Sequence, residues 1–134
     1  MAEIAKYGTP SLSTFTPSHE SNYSDLVAGE DIAAGDACYI KTSDGKVWRS
    51  SGAAANAAAV VDGFAPIAYK AGQPMTLYHG VVFGYGSGLA AGTFLYLSGT
   101  VAGGLADAAS TGGTVPIGRV MPNGQEVLLM ASYG

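Results

Sequence analysis

An internal repeat constrains the fold of this chain more than any other feature of its sequence. The segment Ile32–Ile40 aligns without gaps on Leu89–Leu97, with four of the nine positions identical and most of the others exchanging one apolar residue for another. Two further blocks recur in the same order, with Val61–Ala65 on Pro116–Val120 and Gly72–Leu77 on Gly124–Leu129. The blocks recur at spacings of 57, 55 and 52 residues, and self-similar blocks in the same order at a nearly constant spacing indicate a repeated structural unit.

Within each unit the signals are those of short strands separated by turns. Asp44-Gly45 and Asn123-Gly124 lie between apolar or alternating runs and favour the positive φ of tight hairpins. Only 53–61, which is rich in Ala, has helical character, and a loop or a single turn is an equal alternative there. The predicted strands are Ala37–Thr42, Lys46–Ser50, Gly63–Tyr69, Met75–Phe83, Thr93–Leu97, Val115–Met121 and Glu126–Ser132.

Two halves of about 50 residues cannot bury their apolar faces separately. We therefore expect one all-β domain over residues 27–134, a small barrel or sandwich related by a pseudo-twofold, with repeat one at about 27–83 and repeat two at about 86–134. A length of 134 residues with 48% hydrophobic residues is enough for one such core. The repeat predicts that Gly35 superposes on Gly92, Tyr39 on Tyr96 and Gly72 on Gly124.

Residues 1–26 precede the repeats and are rich in Ser, Thr and Pro. Their aromatic residues, Tyr7, Phe15 and Tyr23, lie eight apart, and no period of a helix or strand is sustained. This pattern is typical of an extended arm that touches successive pockets of a partner. A plain disordered tail is the alternative.

The charge pattern argues against nucleic-acid and membrane partners. The six basic residues form no run, and the net charge is −4. Between Lys70 and Asp107 no charged residue occurs, and Gly84, Gly88 and Gly92 lie four apart, as in membrane helix dimers. That stretch is interrupted by polar residues and has no basic anchors, so we expect no membrane span. The N-terminus lacks the apolar core of a signal peptide, which predicts a product that is cytoplasmic when made.

Nucleophilic and redox chemistry have little support in the sequence. Cys38 cannot form an internal disulfide because it is the single cysteine, and its repeat position is that of Leu95, which predicts a small buried hydrophobic side chain. The imidazoles are His19, in the arm, and His79, which aligns with Ala131 and is predicted to be exposed at a strand end. We expect no catalytic residues.

Metal and cofactor motifs are also weak. Glu30, Asp31 and Asp36 cluster near one turn without calcium-loop spacing, which favours solvated turn residues. The run 84–91 contains G-x-G-x-x-A with Asp107 about 20 residues on, as in a dinucleotide fingerprint. A helix should begin there, whereas the repeat predicts a strand, so this run is a linker between the halves. We expect no metal and no cofactor.

The repeated block Ile32–Ile40, with Val61–Ala65, the Gly72-Gln73 turn and the strand Gly124–Leu129, resembles small head-decoration (cement) proteins of tailed phages over residues 27–132. It is similar to lambda-type decoration proteins with a β-clip or β-tulip core. The resemblance implies a structural virion protein, a homotrimer or several copies on the outer surface of the expanded capsid. It also implies an arm that binds the major capsid protein, and no catalytic residues.

Two other classes are open. A phage fibre or adhesin-like β module would bind carbohydrate or another surface ligand on an exposed patch of Trp48, Tyr78 and Tyr85. An enzyme on the same scaffold would need a histidine or a carboxylate pair in a pocket.

Overall fold

The computed structural model describes residues 3–12, 19–21 and 26–133, with the backbone alone at 11–12 and 19–21. These residues form eleven β-strands. The strands are β1 (Glu3–Ile4), β2 (Ser11–Leu12), β3 (His19–Ser21), β4 (Ala37–Ile40), β5 (Val47–Arg49), β6 (Gly63–Phe64), β7 (Leu77–Gly84), β8 (Phe94–Leu97), β9 (Leu105–Ala106), β10 (Gly118–Val120) and β11 (Glu126–Met130).

Helical structure in these ranges is limited to one 3-10 turn, Ala57–Ala59. The side chain of Asn56 caps this turn by accepting a hydrogen bond from the backbone N–H of Ala58 at 3.0 Å. The Ala-rich run is therefore a single turn, one of the alternatives that the sequence left open. Over the same residues, no helix has the length and apolar character needed to cross a membrane.

The strands form one curled antiparallel sheet with the shape of a half-barrel. Its order is β1-β9-β8-β10-β11-β7-β6-β4-β5, and β2 and β3 both pair with β7. This architecture confirms the predicted all-β fold class.

The order of the strands shows the repeat directly. From the central β11–β7 ladder outward, repeat two runs β11-β10-β8-β9 and repeat one runs β7-β6-β4-β5. With the ladder strand counted as the first, the third strand is β8 in repeat two and β4 in repeat one. These two strands are the C-terminal ends of the aligned blocks Leu89–Leu97 and Ile32–Ile40. The halves therefore have the same strand order, as the pseudo-twofold requires.

The pairing registers agree as well. Cys38 pairs with Gly63 as its equivalent Leu95 pairs with Gly118. Gly35 and Gly92 have φ of 83° and 81°, and their N–H groups donate to the equivalent carbonyls of residues 65 and 120, both at 2.8 Å. Tyr39 and Tyr96 occupy matching positions one residue further along β4 and β8.

The Gly-Gln turns match in part. Gly72 and Gly124 both have positive φ, and the carbonyls that follow them, at 73 and 125, accept from the equivalent N–H groups of residues 28 and 85, both at 2.9 Å. Beyond the turns the register differs by two residues, because Phe64 pairs with Tyr78 whereas Arg119 pairs with Leu128. A shift of two keeps the same side chains on the same face of the sheet.

Two clusters of buried side chains form the interior. The joint core, shared by both halves, contains Ala37, Val61, Phe64, Val81, Phe83, Tyr85, Leu95, Leu97, Leu105, Ile117, Val120, Val127 and Leu129. The first-half core contains Leu26, Ala28, Ile32, Cys38, Val47, Ala65, Met75 and Leu77. The prediction that Cys38 is a buried hydrophobic side chain is confirmed.

The repeat geometry predicts a graded response to alanine at two equivalent turns. Gly92→Ala should lower the free energy of unfolding by about 1–2 kcal/mol, because an L-residue is strained at positive φ while the added Cβ lies 3.5 Å from its nearest neighbour. Gly35→Ala has the same strain and places Cβ 3.1 Å from Pro10 and 3.3 Å from Tyr85, so its loss should be larger. Urea denaturation measures both values. Ala91→Ser is the control, expected within about 0.5 kcal/mol of wild type, and equal losses at the two glycines would contradict this packing.

Candidate functional site

The described parts of the N-terminal segment lie against the domain of the same chain. Glu3 and Ile4 pair with β9, residues 11–12 pair with the end of β7, and residues 19–21 pair with its beginning. The N–H of Tyr7 donates to the carbonyl of Tyr85 at 2.9 Å. The described parts of this segment therefore contact the sheet of their own chain. The predicted division of arm and domain near residue 26 and the ordering of the arm on a partner stay predictions.

An ion pair fixes this segment in place. Asp36 is 3% exposed, and its Oδ1 lies 2.5 Å from Lys6 Nζ while its Oδ2 accepts the N–H of Ala33 at 2.9 Å. A buried carboxylate is costly unless it is paired and hydrogen-bonded. The ammonium group of Lys6 therefore neutralises the carboxylate of Asp36, which would otherwise be a buried charge without a cation.

Glu3 adds a second polar contact at the same end. Its carboxylate accepts a hydrogen bond from the hydroxyl of Ser98. Burial raises the pKa of Glu3, and the bond to Ser98 and the charge of Lys6 oppose that rise. Because the folded pKa is raised, the contribution of Glu3 to stability is complete below its ordinary pKa and is lost as the pH rises through the raised value. Glu3 itself therefore favours the docked state of β1 at acidic rather than neutral pH.

Tyr7 stands out from this segment. Its side chain is 74% exposed, although its backbone is hydrogen-bonded to the domain and the adjacent Lys6 is ion-paired. The two other predicted anchor residues, Phe15 and Tyr23, lie outside the described residues. The structure therefore presents one predicted anchor, Tyr7, on a fixed backbone.

The three acids near the first turn serve separate partners. Glu30 binds Arg49 at 3.0 Å, and Asp31 accepts the N–H of Ala71 at 3.0 Å with Lys70 at 3.8 Å. Asp36 is bound by Lys6. In the described ranges, no group of three or more His, Cys, Asp or Glu side chains could hold a metal ion.

The candidates for nucleophilic chemistry are not assembled into a site. The thiol of Cys38 is fully buried, and burial raises its pKa well above the ordinary value, with Asp36 and Glu30 adding to the rise. His79 lies within β7, which extends from Leu77 to Gly84, and is half-buried. The expectation of an exposed residue at a strand end is therefore wrong. His19 pairs through its backbone with Gly80 of β7.

The segment after β7 is the linker that the sequence predicted. Gly88 has a φ of 67°, and the chain passes into β8 with no helix between the two strands. A dinucleotide fold places its Gly-rich turn at a helix N-terminus. The run 84–91 therefore lacks the context of that fingerprint.

The three aromatic residues considered for ligand stacking do not form one exposed patch. Tyr85 belongs to the joint core, and burial raises its pKa. Tyr78 is half-buried against the same core. Trp48 donates from Nε1 to Asp44 at 3.1 Å, and Lys41 Nζ lies 4.5 Å from the centroid of its ring.

A polar cleft that the sequence did not indicate lies beside repeat one. It has a volume of about 320 Å³ and is lined by Asp31, Ile32, Ala33, Arg49, Ala68, Tyr69, Lys70 and Gln73. The bridge between Ile32 and Tyr69 brings its two walls together. The Nε atom of Arg49 is buried there without a hydrogen-bond partner among the described residues. No motif could have revealed the cleft, because its walls come from residues 31–33, the end of β5 at Arg49 and residues 68–73, which are far apart in the sequence.

Comparison with known proteins gives no neighbour. No protein-family model, no curated protein and no solved structure matches this chain. Functional interpretation therefore depends on the chain's own residues.

The Lys6–Asp36 pair predicts a contrast between two lysines that both have acidic partners. Lys6→Met should lower the free energy of unfolding by about 2–3 kcal/mol, because it leaves a buried carboxylate without its cation. Lys70→Met removes the exposed partner of Asp31 and should change stability by less than about 0.5 kcal/mol. Denaturation in urea at neutral pH measures both. Equal effects of the two substitutions would show that residue 6 does not fix the segment.

Proposed function

We propose that the chain is a structural protein of a tailed-phage head that binds the outer surface of the expanded capsid and strengthens it. The major capsid protein is the proposed partner, and the virion exterior is the proposed location. The exposed Tyr7 ring on a fixed backbone is the observation that carries the proposal, because it is a preformed anchor with no cover from the described part of this chain. The resemblance of the repeated blocks to head-decoration proteins supports the same role.

The energetics favour such an anchor over a free arm. Ordering a flexible segment costs on the order of 1–2 kcal/mol per residue in backbone entropy. Glu3–Ile4 and Ser11–Leu12 already pair with β9 and β7 of their own domain, and the N–H of Tyr7 between them is bonded to Tyr85, so much of the ordering entropy is not lost in the binding step. Burial of one tyrosine ring contributes roughly 1.5–3 kcal/mol. A preordered Tyr7 can therefore supply useful affinity alone.

Phe15 and Tyr23 are the further anchors in the proposal, on the segments between and after the docked strands. Several copies in one oligomer, for which we propose a trimer, would raise the effective concentration of the remaining anchors once one is bound. We assign no catalytic role. The buried state of Cys38 and the separate partners of Glu30, Asp31 and Asp36 support a binding function over chemistry.

A point substitution tests the anchor directly, whereas deletion of the arm would also remove β1 to β3 and the Lys6–Asp36 pair. Tyr7→Ser should weaken binding to capsids of the parent phage about 10- to 100-fold per site, the equivalent of one buried ring. Tyr7→Phe should retain binding, since the ring supplies the contact. Co-sedimentation of labelled protein with heads that lack it measures the affinity.

Ile67→Ser is the matched control for this test, because Ile67 is also an exposed apolar side chain but belongs to the loop after β6 and not to the N-terminal segment. It should bind as wild type does. If Tyr7→Ser binds as tightly as wild type, or Ile67→Ser loses as much, the anchor is not Tyr7. If wild type does not bind heads at all, the proposed function itself is wrong.

The polar cleft favours one alternative, a fibre or adhesin-like module that binds a carbohydrate. Tyr69 offers an aromatic wall, and the guanidinium of Arg49, whose side chain is 37% exposed, offers N–H donors to a ligand hydroxyl. Under this alternative wild type binds a defined glycan on an array and Tyr69→Ala loses about tenfold or more in affinity. An array without a specific signal, or one unchanged by Tyr69→Ala, would dismiss it.

A further inference from the structure

The two repeats differ at one face of the sheet. Ala37 and Phe64 are fully buried in the joint core, whereas their equivalents Phe94 and Arg119 lie at the surface, with Phe94 50% exposed. The strand registers fix these equivalences, because Ala37 pairs with Phe64 as Phe94 pairs with Arg119. In repeat one this face of the sheet packs into the joint core. The equivalent face of repeat two is therefore exposed.

This uncovered surface continues onto β11. Leu128 pairs with Arg119 across the ladder, and Leu128 and Met130 are both exposed. The Arg119 guanidinium lies 4.8 Å from the centroid of the Phe94 ring and places a positive charge among the apolar side chains. We call Phe94, Arg119, Leu128 and Met130 the outer face of repeat two.

The opposite asymmetry occurs at one edge of repeat one. Leu97 is 1% exposed in the joint core, whereas its equivalent Ile40 is 43% exposed. Ile117 is likewise buried in the joint core, and the repeat alignment places Asp62 at its position. Asp62 is half-buried, and its Oδ2 accepts the N–H of Ile40 at 2.7 Å. We call Ile40 and Asp62 the free edge of repeat one.

Within one chain, the joint core contains Ala37 and Phe64 from repeat one and Leu97 and Ile117 from repeat two. The repeat equivalents of these two pairs, which form the outer face of repeat two and the free edge of repeat one, are not buried in that core. We propose that copies of this chain associate head to tail, with the outer face of repeat two in one copy covered by the free edge of repeat one in the next. The occupant is a second copy because the open surfaces are the repeat equivalents of side chains that share the joint core of one chain.

Charge supports the same pairing. The outer face contains the cation Arg119, and the free edge contains the anion Asp62. Two different patches meet in this contact, so the interface is heterologous and forms a closed ring when the rotation between copies permits. This inference does not depend on the proposed capsid role, since it concerns the isolated chain.

Sedimentation velocity of the full chain over a concentration series tests the proposal. Wild type should show a mass above that of the monomer that rises with concentration. Leu128→Glu, on the outer face, and Ile40→Glu, on the free edge, should each sediment as monomers. Ile67→Glu adds the same charge at an exposed apolar position outside both surfaces and should behave as wild type.

A mixture of the two variants separates a head-to-tail contact from a symmetric one. Leu128→Glu keeps its free edge and Ile40→Glu keeps its outer face, so an equimolar mixture should form 1:1 dimers and nothing larger. A symmetric contact between two outer faces would instead leave Ile40→Glu self-associated. Circular dichroism confirms the fold of each variant, and Met130→Glu replaces Leu128→Glu if the latter unfolds.

Three results would overturn the inference. Wild type could remain monomeric at about 1 mM, a concentration at which even a weak specific contact is half formed. Both variants could remain oligomeric, which would place the contact elsewhere. The mixture could fail to form dimers while each variant is monomeric and folded. A monomeric wild type that still binds heads through Tyr7 would reject this inference and the proposed trimer, and would leave the proposed binding to the capsid intact.

Discussion

The antiparallel ladder between β7 and β11 is the interaction on which the rest of the structure depends. Five residue pairs, from Glu126 with Gly84 to Met130 with Gly80, join the end of repeat one to the end of repeat two. The same strand β7 also pairs with β2, β3 and β6, and its residues Val81 and Phe83 lie in the joint core. Without this ladder the two halves could not form the joint core that they share.

The surfaces proposed for binding lie where the repeats have diverged. An alanine at position 37 permits close packing in the joint core, and the larger Phe94 at the equivalent position lies at the surface with Arg119 against its ring. Asp36 shows the same principle, because its equivalent Thr93 has no charge to neutralise. The carboxylate of repeat one recruits Lys6, and Lys6 in turn holds the segment that presents Tyr7.

The sequence was sufficient for the features that depend on local chemistry and on the repeat. Glycines at positive φ, the positions of the main strands and the burial of Cys38 followed from turn residues and alignment. Strands β1 to β3 and β9 were missed, because two- or three-residue strands have no period and exist only through tertiary pairing. The docking of Lys6 on Asp36 and the polar cleft were equally out of reach, since each joins residues about 30 or more apart that no motif connects.

The central claim is that this β module is seated on the outside of a capsid through its N-terminal segment. An electron cryo-microscopy map of the parent phage particle tests it most directly. The account predicts density for the curled sheet at repeated positions on the outer shell, with Tyr7 facing the major capsid protein. Particles whose shell carries no such density, or which hold the chain only in a tail fibre, would contradict it.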